Sequence, residues 1–182
     1  MRAWTVVLAG AVGLSLAGPA AAQLPERGAR SLRLSSSGDT QVGVWKMVSG
    51  RTALGLEAGV ALGRESRDDE DRTTWGLTAA PSFKRYGAPV GPFAPYLFGS
   101  VPLGLERVGQ PRGTTRTGWV VGGALAAGLD WFPVPRASVG AHAGVEARRE
   151  SQSFDDGFVD EPGARSTVFR TFGTGLSLHI YF

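Results

Sequence analysis

Residues 174–182 read TGLSLHIYF. Phe182, Ile180, Leu178 and Leu176 share one parity, while Tyr181, His179, Ser177 and Gly175 share the other. A period of two belongs to an extended strand whose side chains point alternately to two faces. Domains commonly finish in a frayed polar tail. Here one face stays apolar to the last residue. Such an end is expected where the final strand is paired along its whole length, as it is in a sheet closed on itself.

The same period runs back through the chain and predicts eight strands. They are Arg30–Ser36, Thr40–Val48, Thr52–Arg64, Thr73–Tyr86, Phe93–Arg107, Gly118–Phe132, Arg136–Arg148 and Thr167–Phe182. Arg136–Arg148 is the clearest, with Ala137, Val139, Ala141, Ala143, Val145 and Ala147 separated from Ser138, Gly140, His142, Gly144 and Glu146. A two-residue turn at Ser49-Gly50 would set Trp45 and Met47 on the apolar face beside Leu54 and Thr52, with Lys46 on the polar face. Pro102 falls inside a predicted strand and cannot donate to a ladder, so a bulge or local defect is expected there, and Pro81 poses the same problem nearer a rim. The breaks alternate between compact ones (SG, GAPVGP, PVP) and longer polar ones (ESRDDEDR, VGQPRGTTR, ESQSFDDGFVDEPGAR). An up-and-down barrel with tight turns at one rim and loops at the other has this rhythm.

Composition narrows the class. The chain has 182 residues, length for one ordinary domain, and 27 glycines, which argue against long helices. It has no cysteine, which excludes disulfides and a lipidated N-terminal cysteine. Met1-Arg2, the apolar run Ala3–Ala17 and Ala20-Ala21-Ala22 before Gln23 read as a secretory signal over residues 1–22, leaving 23–182 as the barrel. No other apolar run approaches 18 residues, the length of a membrane helix. With 19 Lys+Arg against 16 Asp+Glu and no basic stripe interleaved with aromatics, nucleic acid is not expected as a partner.

Alternation alone does not say which face is outside. Three features place the apolar face in lipid. The polar face is mostly Gly, Ser, Ala and Thr with one or two charges per strand, which suits a narrow lumen better than a solvated exterior. The apolar face carries aromatics near its ends: Trp75, Trp119, Trp131, Phe172 and Phe182 form the expected girdle. Trp119 and Trp131 are twelve residues apart, roughly 30 Å along the membrane normal for a strand tilted near 40°. Charges of apolar parity, Arg107 and Arg170, fall only beyond these limits.

The signal ending GPAAAQ, the eight alternating strands and the C-terminal LSLHIYF together resemble the small bacterial outer-membrane barrels of the OmpA-type and OmpX-type group. The resemblance implies an all-β fold, an eight-stranded antiparallel up-and-down transmembrane β-barrel in the bacterial outer membrane. It also implies that Leu176, Leu178, Ile180 and Phe182 are read by the barrel-assembly machinery. It says little about function, because many unrelated barrels share it. No further domain is expected after Phe182.

The expected lumen set is Arg33, Lys46, Glu57, Lys84, Glu106, Asp130, His142, Glu146 and Arg148. Both signs are present, and buried charges need partners, so these predict ion pairs filling a narrow interior. His142, Glu146 and Ser138 suggest a triad, but four residues along a strand span about 13 Å, beyond hydrogen-bond reach. No catalytic residue, metal site or cofactor is expected. The acidic stretch Arg64–Arg72 and the segment FDDGFVDEPG read as solvated loops, since neither has the ordered ligand spacing of a calcium loop. The basic loop RVGQPRGTTRT would lie near lipopolysaccharide phosphates. The expected partners are outer-membrane lipid and lipopolysaccharide, the assembly machinery during biogenesis, and a surface ligand at the loops. The expected role is a non-enzymatic barrel presenting loops for envelope integrity or adhesion. The alternative is a narrow porin-like channel, and a third reading is a lipid-modifying enzyme.

Overall fold

A computed structural model describes residues 23–36, 40–67, 70–109, 115–155 and 165–182, with the side chains of 64–67, 70–72, 115–116, 152–155, 165 and 170–173 outside the description. The expected signal, residues 1–22, and most of the last predicted loop, residues 156–164, also lie outside the described residues. The described chain forms nine strand segments: β1 (Arg30–Ser36), β2 (Thr40–Ser49), β3 (Thr52–Arg67), β4 (Glu70–Tyr86), β5 (Phe93–Ser100), β6 (Leu103–Gly109), β7 (Thr115–Val134), β8 (Ala137–Asp155) and β9 (Arg165–Tyr181).

All belong to one sheet, and every pairing is antiparallel. β5 and β6 both lie between β4 and β7, so they are one strand interrupted at Val101-Pro102. The ring therefore has eight members, as the alternation predicts, and it closes through β1 and β9. The closing ladder runs from Ser36 opposite Leu176 to Ser31 opposite Tyr181. Its last rung exchanges two bonds between Arg30 and Phe182, at 3.1 and 2.9 Å. The apolar C-terminal strand thus has no free edge.

The side-chain distribution is inverted relative to a water-soluble fold. The interior holds Lys84 and Asp130 at zero exposure, while Leu62, Val60 and Leu125 on the outer face are 80, 65 and 62% exposed. A closed ring of this size has room inside only for side chains. Its large interior residues rest on glycines of neighbouring strands. A Cβ at Gly55 would overlap the Trp45 indole, and one at Gly140 would overlap the Asp130 carboxylate.

Two registers differ from those predicted. A bulge between Met47 and Ser49 places Trp45 opposite Gly55 and Met47 opposite Ala53. Trp45 and Met47 therefore point inward and are buried, and Lys46 is outward and exposed beside Leu54, the reverse of the expected parity. The extra residue shifts the side-chain phase of the strand relative to its partner. In β9, Gly173 pairs with Gly144 but Thr171 pairs with Val145, so Phe172 is the additional residue. Beyond it the phase is inverted, and position 170 lies opposite Glu146 rather than on the apolar parity.

The acidic stretch is not all loop. β3 and β4 continue through it, with Glu65 opposite Arg72 and Arg67 opposite Glu70, leaving residues 68–69 between them.

Candidate functional site

The interior polar cluster is the candidate site. β4 supplies Lys84, β7 supplies Asp130 and β9 supplies His179, each on the inward parity of its strand and each almost wholly buried. Lys84 Nζ donates to Asp130 Oδ2 at 3.0 Å and Oδ1 at 3.3 Å, and lies 3.3 Å from His179 Nε2. It also sits 4.1 Å from the centre of the Tyr96 ring, within cation–π range. Tyr86 Oη donates to Asp130 Oδ2 at 2.7 Å. A charged Lys84 can only donate, so Nε2 of His179 accepts and Nδ1 carries the proton. That proton is directed at Ser31 Oγ, 3.2 Å away. Tyr181 extends the network to Ser138 Oγ at 3.3 Å and to Tyr86 Oη at 3.5 Å.

A second pair lies beside the first. Arg33 from β1 reaches Glu57 from β3, and Ser35 Oγ donates to the other Glu57 oxygen at 3.3 Å. The guanidinium carbon stands 5.0 Å from the Phe98 ring centre and 5.4 Å from that of Trp45. The two pairs balance in charge. Desolvating four charges is costly, and matched partners with added hydrogen bonds are what make such burial tolerable. Trp45, Tyr86, Tyr96, Phe98, Phe132 and Tyr181 close around them. Together they fill the ring in the half carrying the compact turns.

A third pair, Arg148 with Glu146, is half-buried in the other half of the ring. It borders a cavity of about 90 Å³ reaching down to Arg33, Glu57 and His142. His142 stacks on Phe98 at 5.3 Å between centres, with its Nδ1 3.4 Å from Tyr96 Oη. The structure therefore brings Arg33, Glu57, Lys84 and Asp130 together, and places His142, Glu146 and Arg148 above them. Glu106 is on the inward parity of β6 but exposed, and Lys46 faces outward. His142, Glu146 and Ser138 do not meet; each has a different partner. Sequence reading missed His179, Tyr86, Tyr96, Tyr181 and Ser31 as members of the network. Their inward parity was visible, but their convergence depends on which strands face one another across the ring.

On the outer face, Trp75, Trp119 and Phe182 are exposed and Trp131 is half-buried. The Phe172 side chain lies outside the described residues. Leu176, Leu178 and Ile180 are exposed on one line of β9. Among the described residues no cluster of His, Asp and Glu has the arrangement of a metal site.

Comparison with protein-family models and with curated proteins gives no match for this sequence. Among solved structures, the chain is similar to the N-terminal β-barrel domain of Pseudomonas aeruginosa OprF, with a TM-score of 0.44 and 12% identity, covering 87% of this chain and all of that one.

Proposed function

We propose that the protein is an integral barrel of the bacterial outer membrane whose interior is sealed by its own ion pairs, and that its working surface is the loop rim. One observation carries this reading. Large apolar residues along the outer face of the ring are exposed, Leu62 to 80%, while the residues at zero exposure include a lysine and an aspartate. In water such an arrangement forfeits burial of the apolar face and desolvates charge for no return. In a bilayer the first term reverses, because hydrocarbon covers the outer face, and the ladders of the closed ring pair the backbone except at the carbonyls facing Pro81 and Pro102. The buried pairs and the aromatics around them support a plug rather than a pore. The role is then structural or adhesive, with outer-membrane lipid and lipopolysaccharide as surroundings, and no catalysis is assigned.

The test is refolding without residues 1–22 into detergent, verification by a gel-mobility difference between unheated and boiled samples, and single-channel recording in a planar bilayer. A heat-modifiable, silent protein is expected. Reproducible discrete current steps would replace the sealed barrel with the narrow channel.

A further inference from the structure

The compact-turn end of the ring is strongly basic on its outside. Arg27, Arg30, Lys46, Arg51, Arg85 and Arg136 are all exposed there, and among the described residues Glu26 is the one exposed acid beside them. They form an arc rather than a scatter. The arc follows the neighbouring strands β4, β3, β2, β1, β9 and β8. Arg85 lies in β4, Arg51 just before β3, Lys46 in β2, Arg30 at the start of β1 and Arg136 just before β8. The Arg51 carbonyl accepts from Tyr86 N–H at 2.8 Å and the Arg136 carbonyl from Tyr181 N–H at 2.8 Å, which ties both turns to the rim. Within the described residues none of the six has a carboxylate in ion-pair contact.

Two of these cations face each other. Arg30 of β1 is directly opposite Lys46 of β2, and both share the outward parity of Leu32 and Val44. Arg30 exchanges both its backbone bonds with Phe182, at 3.1 and 2.9 Å, while the next bond toward β2 runs from Met47 N–H to the Ala29 carbonyl at 2.8 Å. Arg30 and Lys46 are therefore a non-hydrogen-bonded pair, the kind in which facing side chains stand closest. Like charges at such a place destabilise the ladder. An anion held between them turns that repulsion into attraction. Depth narrows the choice of anion. Arg30, Lys46 and Arg85 each lie two residues beyond an exposed apolar residue of the same strand, respectively Leu32, Val44 and Phe83. Two residues are roughly 5 Å along the membrane normal for a strand tilted near 40°. That is the step from hydrocarbon to headgroup, and the long stems of Arg and Lys reach across it.

We propose that this arc binds anionic phospholipids in the leaflet on the compact-turn side, with Arg30 and Lys46 sharing one phosphodiester. The proposal rests on the reading that the outer face meets lipid. The occupant follows from charge and position. A headgroup of net negative charge brings a counter-charge to the arc, whereas a zwitterionic one brings a cation of its own. The arginine guanidiniums present forked donors that match phosphate oxygens, and the Lys46 ammonium adds a point charge. Each cation close to an anionic membrane surface adds to the attraction. Cations on adjoining strands act on the same patch of headgroups.

The probe is phosphatidylglycerol set against phosphatidylcholine with the same acyl chains. Protein lacking residues 1–22 is refolded in detergent micelles holding both lipids in equal amounts, and the lipid it retains is read by native mass spectrometry. The parent should retain phosphatidylglycerol in preference. Arg30→Gln with Lys46→Gln should lower that preference on the order of tenfold. Arg107→Gln with Arg149→Gln removes the same charge from two exposed residues toward the other rim and should leave the preference nearly unchanged. Raising ammonium acetate from about 0.05 to 0.5 M should weaken the parent's preference, because exposed charges are screened, and this readout needs no variant to fold. Retained lipid without headgroup preference overturns the inference. So does an equal loss in the Arg107 and Arg149 variant, since net charge alone would then be responsible. The underlying reading is tested separately in vesicles of phosphatidylcholine brominated in its acyl chains, which should quench the exposed Trp75 and Trp119. Absence of that quenching overturns the membrane reading itself.

Discussion

Asp130→Ala tests the interior network at its most connected point. The carboxylate receives Lys84 at 3.0 Å and Tyr86 at 2.7 Å, and neither Asp130 nor Lys84 is exposed. At 3.0 Å and an effective dielectric near 20, the attraction is about 5–6 kcal/mol before desolvation is counted. Removing the carboxylate leaves the ammonium buried, with His179 and the rings of Tyr96, Tyr86 and Trp45 as its neighbours and no counter-charge in contact. Breaking one partner of a buried pair costs about 3–5 kcal/mol, and that loss is expected here. The companion variant carries Asp130→Leu, Lys84→Met and Tyr86→Phe. It removes the charge, its partner and the hydroxyl that would lose its acceptor. Replacing a buried pair by apolar residues is often neutral or stabilising. The remaining cost falls on His179 Nε2, which loses Lys84, and is about 1–3 kcal/mol. The measurement is reversible urea unfolding from lipid vesicles, followed by tryptophan fluorescence. The triple variant should be more stable than Asp130→Ala alone. A single variant costing under about 1 kcal/mol, or a triple variant no better than the single, would refute a desolvated ion pair at this place.

Leu125→Arg, at the centre of the apolar band, should cost about 2–4 kcal/mol in the same unfolding assay, whereas Val134→Arg at the compact-turn end should cost about 0–1; equal costs would contradict a bilayer around the ring. Removing the Arg33–Glu57 pair by Arg33→Ala with Glu57→Ala empties the middle of the interior, so a planar-bilayer recording should show current steps absent from the parent. If the double variant stays silent, the Lys84–Asp130 layer alone suffices to seal the ring. Deleting Phe182 removes the last rung to Arg30 and the terminal aromatic of the expected assembly signal. Outer-membrane fractionation should then show less folded, heat-modifiable protein in cells, while refolding in detergent changes little.

The number of strands and the inward or outward sense of most residues were legible because alternation is a local property of sequence. Leu176, Leu178 and Ile180 needed only their own spacing to be placed on one face. Bulges are not local in that sense. Whether Val48 or Phe172 is an extra residue is decided by the neighbouring strand, against which the ladder must stay paired. One such residue inverted Trp45, Lys46 and Met47 together, and another moved position 170 from the apolar parity to a place opposite Glu146. Prolines were a better signal. Pro102 marked a defect in advance because a missing N–H needs no knowledge of the partner to be seen, although the pairing of its gap with the one at Pro81 depends on how β4 and β6 lie in the ring.

The interior pairs were legible as charges of both signs and illegible as pairs, because each joins strands distant in sequence: Arg33 to Glu57 across 24 residues, Lys84 to Asp130 across 46. That distance suggests what they contribute. Buried ion pairs add little net stability, so their presence is not explained by energy alone. Register is a better account. A slip of one residue in β4 or β1 would send Lys84 or Arg33 to the apolar face, where on the proposed membrane reading an uncompensated charge costs up to about 2–4 kcal/mol, depending on depth. The same slip would leave Asp130 or Glu57 buried without a partner. The outer face penalises that inversion but not a slip of two residues, since one aliphatic residue there is nearly as good as the next, whereas a two-residue slip still separates each interior charge from its partner. In a ring whose apolar surface is uniform, the charges inside are what make a single closure distinguishable from its neighbours.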